Sequence, residues 1–141
     1  MVSLVKSLIS RGCITIDQNS NITNLIRLLN FNSVGCLVVL SKEISTPIGM
    51  VSERDLIRNY NNIINNRYKK VSQIMTKKII SCSLKTTSKE LMEIMTSYKI
   101  RHIPIIDQGN LLGIVSIGDV VNRLIKNYAA ETKLLREFIN S

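Results

Sequence analysis

The sequence predicts a mixed α/β fold in which two pseudo-symmetric β-α-β-β-α repeats are closed by a C-terminal helix. Three observations carry that expectation. The phrase "IGMVSERDLI" from Ile48 returns as "LGIVSIGDVV" from Leu112, 64 positions later. Upstream, "VKSLISRGCITID" from Val5 lines up with "VSQIMTKKIISCS" from Val71 at an offset of 66 without a gap. Within each copy the apolar period switches from strand-like to helical and back, as a repeated supersecondary unit requires.

The elements follow in order. A short strand at Ile14 to Ile16 is answered by one at Ile79 to Ser81. An amphipathic helix carries apolar residues at Ile22, Leu25, Ile26, Leu28 and Leu29, matched by Leu91, Met92, Ile94 and Met95. The apolar runs "CLVVL" from Cys36 and "HIPII" from His102 read as buried strands, each paired through a turn-rich loop with "IGMVS" or "LGIVS". From Ser41 to Gly49 the first loop takes eight steps, and from Asp107 to Gly113 the second takes six. A two-residue insertion in the hairpin loop accounts for the change of offset from 66 to 64. Each repeat's last helix begins at its Ser-x-x-Asp phrase. The asparagine-rich stretch "NYNNIINNRYKK" from Asn59 reads as a connector, which sets the repeats at 1–66 and 67–141. Beyond Asp119, apolar residues at Val121, Leu124, Ile125, Tyr128, Leu135, Phe138 and Ile139 keep helical spacing, so one long or broken helix closes the chain. Its surplus apolar face suggests packing across a homodimer.

Composition narrows the function classes. The 141 residues are 45% hydrophobic, enough to build a core, but no run approaches the roughly 20 apolar residues of a membrane span. The opening "MVSLVKSLISRG" is too broken for a signal peptide, so the expected setting is cytoplasmic, with no membrane contact. Cys13, Cys36 and Cys82 form no CxxC pair, and His102 is the sole histidine, which argues against a disulfide framework or a zinc cluster. The thiols are expected reduced and buried. A net charge of +9 favours polyanionic partners: nucleotides, nucleic acid or an acidic protein. Absence of tryptophan and 4% aromatics weaken a base-stacking platform. Lysines and arginines are spread along the chain, with modest clusters at "NRYKK" and "TKK" and no recognition helix; nucleic-acid binding stays as the alternative reading.

Ser52-x-x-Asp55 and Ser116-x-x-Asp119 admit two readings. In one, serine is a helix N-cap and aspartate reaches back to complete a capping box. In the other, aspartate accepts hydrogen bonds from the vicinal hydroxyls of a ribose, with the serine hydroxyl serving the same sugar. A carboxylate repels phosphate, so phosphates would lie elsewhere. Only the second copy has cations to meet them: Arg101 and His102 stand where the first has Gly35 and Cys36. Arg54 is a weaker substitute in the first. Ser116, His102 and Asp119 are the nearest approach to a catalytic constellation, but serine and aspartate share one helix start with no nucleophile elbow, so no enzyme is expected.

In these phrases, and in "VGCLVVL" and "IRHIPIID" at the second strands, the chain resembles a tandem pair of cystathionine-β-synthase-like (CBS) domains, a Bateman module. The resemblance covers nearly the whole chain. It implies two repeats packed through their sheets, with two clefts between them that bind AMP, ADP, ATP or S-adenosylmethionine as regulatory ligands rather than substrates. It further implies output through a homodimer or a regulated partner protein. Carried over, the main cleft would take Ser116 and Asp119 for ribose, Arg101 and His102 for phosphate, and Ile9, Ile14, Val34 and Gly35 around the base. The second cleft, expected weaker or empty, would take Ser52, Asp55 and Arg54, with Met75, Ile80 and Ile100 around the base. Serine stands at both positions where the family usually has threonine, a change expected to affect packing more than hydrogen bonding.

Overall fold

The computed structural model describes residues 2–140. Its first unit runs from a short helix α1 (Leu4–Leu8) and a 3-10 turn (Ile9–Arg11) into strand β1 (Thr15–Asp17), helix α2 (Ile22–Asn32), strands β2 (Cys36–Ser41) and β3 (Ile44–Ser52), and helices α3 (Glu53–Arg58) and α4 (Tyr60–Ile64). The second unit comprises α5 (Val71–Ile74), α6 (Ser88–Tyr98), β4 (His102–Asp107), β5 (Asn110–Ser116) and the long α7 (Ile117–Asn140). The mixed α/β fold is therefore present, with two small sheets and a C-terminal helix.

Both units use the same local devices. Asn21 caps α2 by accepting from the Asn24 amide at 2.7 Å, and Thr87 caps α6 by accepting from the Glu90 amide at 3.2 Å. Each helix ends on a left-handed residue, Ser33 (φ 52°) and Lys99 (φ 55°), which lets the next amide reach back to Leu29 O and Met95 O. In the first sheet β1 is parallel to β2 with Ile16 opposite Val39, and β3 is antiparallel to β2. The second sheet repeats this 66 residues on, with Cys82 bridging Ile105. There, however, the expected strand Ile79–Ser81 is not formed and only the bridge at Cys82, one residue further on, remains, so among the described residues the second sheet has two full strands.

Two further expectations are corrected. The hairpin loops are equally short: Lys42-Glu43 and Gln108-Gly109, the latter with both φ angles positive as in a type I′ turn. The two extra residues sit in β3 instead. Between its Val39–Gly49 and Ser41–Ile44 pairs β2 advances two residues while β3 runs back five, whereas Ile105–Gly113 and Ile106–Leu111 enclose one step on β4 and two on β5. A bulge has absorbed the insertion, because the strand edges tolerate extra residues without moving the buried pairs. The asparagine-rich connector also contains α4, set off from α3 at Asn59 and held by the Ile63 amide bonding Asn59 O.

The cores do not respect the boundary at 66/67. Val71 and Ile74 of α5 pack with Ile16, Leu25, Leu37 and Val51 of the first unit, while Leu4 and Val5 of α1 pack with Leu91, Ile103, Ile105 and Val115 of the second. Each unit's entrance helix thus completes the other's core, and β3 and β5 touch between the sheets. Neither half can bury its apolar face alone.

The glycines of the repeated phrase are not equally constrained. A Cβ on Gly49 would lie 2.8 Å from Met75 Sδ and 2.9 Å from Thr76 O, where Met50 and Thr76 exchange two backbone bonds. A Cβ on Gly113 meets nothing nearer than Ile105 Cδ1 at 3.4 Å. Gly49→Ala is therefore expected to lower stability by about 1–3 kcal/mol through overpacking, and Gly113→Ala by much less. Urea unfolding of both variants checks this; equal losses would place the close approach elsewhere.

Candidate functional site

Both Ser-x-x-Asp phrases fold as capping boxes. The Ser52 amide donates to Asp55 Oδ2 and the Ser116 amide to Asp119 Oδ2, each at 2.8 Å, while Ser52 Oγ and Ser116 Oγ accept from the Asp55 and Asp119 amides at 3.4 and 3.1 Å. The entrance of the second strand is tied to the same turn in both units, by Glu53 N to Gly35 O and Ile117 N to Arg101 O. One oxygen of each carboxylate is thereby committed to the helix start. What happens to the other oxygen separates the two halves of the molecule.

Among the described residues Asp55 Oδ1 has a single long partner, the Thr76 hydroxyl at 3.4 Å. It borders an open cavity of about 880 Å³, within the range of small-molecule sites. Ser52, Met50, Ile80 and Ile100 line it together with Gly35, Cys36, Arg101 and His102. Arg54, Arg58, Lys78 and Lys99 also border this space, so five cations with Arg101 face two carboxylates, Glu53 and Asp55. Burial pushes the Cys36 thiol up to about 12, with Asp55 adding to the rise, so this wall stays uncharged. Cys13 and Cys82 are likewise raised to about 11 by burial, and all three thiols are free.

Asp119 is occupied. Arg11 Nη1 donates to Oδ1 at 2.9 Å and Nη2 to Oδ2 at 2.8 Å, and Nη2 also reaches Ile114 O at 2.8 Å. This is the bidentate fork that guanidinium and carboxylate favour. Burial pushes the Asp119 carboxyl up, but the bonds from Arg11 and Ser116 outweigh it and hold the pKa below the usual value. In the other half Thr76 has the equivalent place: its amide bonds Met50 O and its hydroxyl bonds Asp55. Arg11 supplies with one side chain what Thr76 supplies with backbone and hydroxyl.

The grouping of residues therefore differs from the one expected. Arg101, His102 and Gly35 line one cavity with Ser52, Asp55, Arg54, Ile80 and Ile100, a lining that does not include Ser116 and Asp119, although His102 also pairs with Ser116 across β4 and β5 and feels the Asp119 charge. Ile14, Val34 and Met75 instead pack against the first core, and Ile9 lies in the 3-10 turn, away from the cavity lining. Lys78, Thr76, Arg58 and Lys99 also line it and are not among the expected site residues; for Lys78 the available signal is its place in "TKK", at the same entrance position as Gly12 in the first copy. His102 is not a ready cation either. Its burial lowers the pKa, and Arg101 opposes the charge further, while Asp119 and Glu53 offset only part of the fall. At pH 7 the ring is neutral.

No helix among the described residues is long and apolar enough to cross a membrane, and no group of three or more potential metal-ligating side chains is present among them. A family model described as "CBS domain" matches residues 5–62 and again 71–126. The chain is 33% identical over 127 residues to the CBS domain-containing protein CBSX3, mitochondrial, of Arabidopsis thaliana, covering 86% of this chain and 61% of that protein's length. Its fold matches the crystal structure of the CBS-domain containing protein ATU1752 from Agrobacterium tumefaciens with a TM-score of 0.78 at 33% identity, over 86% of this chain and 93% of the other. At 21–22% identity the fold also matches CBSX2 in complex with AMP and the CBS domain pair of MJ0100 in complex with 5′-methylthioadenosine and S-adenosylmethionine. Each of these two has a TM-score of 0.76 over 91% of this chain and 99% of the other.

Proposed function

This chain belongs to the CBS-domain family, and from that premise we propose that it is a regulatory sensor of an adenosyl ligand, without catalysis of its own. The single observation that carries the reading is the cavity beside Asp55, where a half-committed carboxylate, an apolar wall and a group of cations converge. The ribose hydroxyls donate to Asp55 Oδ1, the base lies against Ile80 and Ile100, and phosphate oxygens meet Arg101 and Lys78. AMP, ADP and ATP all satisfy this pattern. S-adenosylmethionine shares the adenosyl part but brings a sulfonium into a cationic space, so it ranks below the nucleotides. AMP and S-adenosylmethionine complexes of the two fold neighbours support the ligand class.

Catalysis is disfavoured because Ser116 and Asp119 are bonded to each other in the cap and Asp119 to Arg11, leaving no activated nucleophile. Output must then pass through a surface, by a shift between liganded and unliganded shapes felt by a second copy or a regulated protein. Calorimetric titration with AMP, ADP, ATP and S-adenosylmethionine tests the reading: one equivalent of a nucleotide should bind per chain. Silence from all four would leave the two phrases as capping boxes, and tight oligonucleotide binding that falls steeply with salt would favour the nucleic-acid alternative.

His102 adds a pH signature. Its pKa in the free protein lies below the ordinary 6.5. A phosphate seated against it favours the imidazolium, raising the pKa in the complex, so binding takes up protons in the window between the lowered free pKa and the higher pKa of the complex. Each unit of rise strengthens affinity by up to about tenfold at low pH. Titration in buffers of different ionisation enthalpy should show proton uptake with AMP that is lost in His102→Gln. Equal uptake in both proteins would place the phosphate away from this ring.

A further inference from the structure

Beyond Leu124, α7 leaves the body of the protein: apart from half-exposed Thr132, every residue from Ile125 to Asn140 is exposed. Leu134 and Phe138 lie off to the side, but most of its apolar residues form one stripe. Val121, Ile125, Tyr128, Thr132, Leu135 and Ile139 follow one another at alternating steps of four and three, the seam of a two-stranded coiled coil. Val121, Ile125, Tyr128, Leu135 and Ile139 are 41%, 61%, 72%, 58% and 78% exposed. Because this stripe lies one position round from Val120 and Leu124, which pack on the second core, the same helix can hold the body with one face and offer the other.

The chemistry of the seam specifies its partner. Taking Ile125, Thr132 and Ile139 as a positions makes Val121, Tyr128 and Leu135 the d positions. All three a residues are β-branched and Leu135 stands at d, in keeping with two-stranded packing, while polar Thr132 at a central a position pins the register. Flanking charges agree. Glu131 then falls at g and Arg136 at the following e, so in a parallel, in-register pair each Glu131 faces the other chain's Arg136, twice by symmetry. We propose that α7 forms a parallel, in-register two-stranded coiled coil with α7 of a second copy of this chain, through the seam from Val121 to Ile139.

The seam lies outside the ligand cavity, so its disruption leaves every nucleotide-binding side chain in place and a failure of either idea is seen separately. The test uses the full chain in analytical ultracentrifugation at micromolar concentration. Wild type should sediment as a dimer, and the double variant Leu135→Glu with Ile139→Glu should weaken self-association by roughly 100-fold or more by placing carboxylates in the seam. In a second variant, Leu135→Cys, mild oxidation should give a covalent dimer through the introduced thiols of the two chains, because a parallel, in-register pair sets the two d positions side by side. A monomeric wild type, a dimer indifferent to the two glutamates, or a Leu135→Cys protein that does not cross-link would overturn the proposal.

Discussion

Asp55→Ala is expected to abolish adenosyl-ligand binding, lowering affinity by about 100-fold or more, while Asp119→Ala leaves it nearly unchanged. The asymmetry follows from the two second oxygens. Asp55 Oδ1 faces the cavity with only a 3.4 Å bond from Thr76, whereas Asp119 Oδ1 is bonded by Arg11 at 2.9 Å. Two ribose hydroxyls lost from a carboxylate acceptor remove hydrogen bonds worth about 1.5–3 kcal/mol each. Every 1.4 kcal/mol is tenfold, so a hundredfold loss is the lower end of that range. Alanine also removes half of a capping box, at about 1 kcal/mol of stability, which thermal unfolding reads independently. Calorimetry on both variants, with thermal unfolding to show that each is folded, decides the matter. The opposite order of effects would return the ligand to the Asp119 cleft.

Much of this architecture is legible from pattern. An offset of 66 fixes the equivalence of Ile16–Val39 and Cys82–Ile105 before any coordinates, because a strand register that buries one face cannot slip by one residue. The paired capping boxes are equally visible in the spacing. What escapes is anything that depends on contact between the copies. Arg11 and Lys77 are aligned by the repeat, but whether a long side chain turns to solvent or crosses 108 positions to a carboxylate is set by three-dimensional closeness that no local pattern encodes. The same holds for Arg101 and His102. Sequence places them on the copy that bears Asp119, and His102 does feel that carboxylate, yet both residues also border the cavity that Asp55 of the other copy lines. Exchange of the entrance helices is hidden for the same reason: Val5 and Val71 occupy matching positions, and matching positions do not say whose core they fill. The bulge in β3 escapes because a loop and a bulge use the same number of residues.

Arg11→Ala should convert one ligand site into two. Arg11 is 48% exposed at its side chain and paired with an Asp119 that is 17% exposed, so its loss leaves little void and removes an ion pair of roughly 0.5–1 kcal/mol. The fold survives. Asp119 meanwhile keeps its bond from the Ser116 amide but regains a vacant Oδ1, the state Asp55 already has. The two clefts would still not be equivalent. Asp119 does not border the cavity that holds Arg54, Arg58, Lys78, Lys99 and Arg101, and truncation of Arg11 takes away the cation bonded to it. A freed Asp119 cleft therefore carries an uncompensated carboxylate and should discriminate against phosphate. Its preferred ligands are adenosine, or S-adenosylmethionine with its sulfonium charge, whereas AMP and ATP continue to fill the Asp55 cavity first. Titration of Arg11→Ala with S-adenosylmethionine should thus show a stoichiometry of two with unequal affinities, and Arg11→Lys, which keeps a donor and a charge at the same carboxylate, should stay near one. Retention of a single site in Arg11→Ala would mean that the Asp119 cleft is closed by its packing and that the arginine merely decorates it.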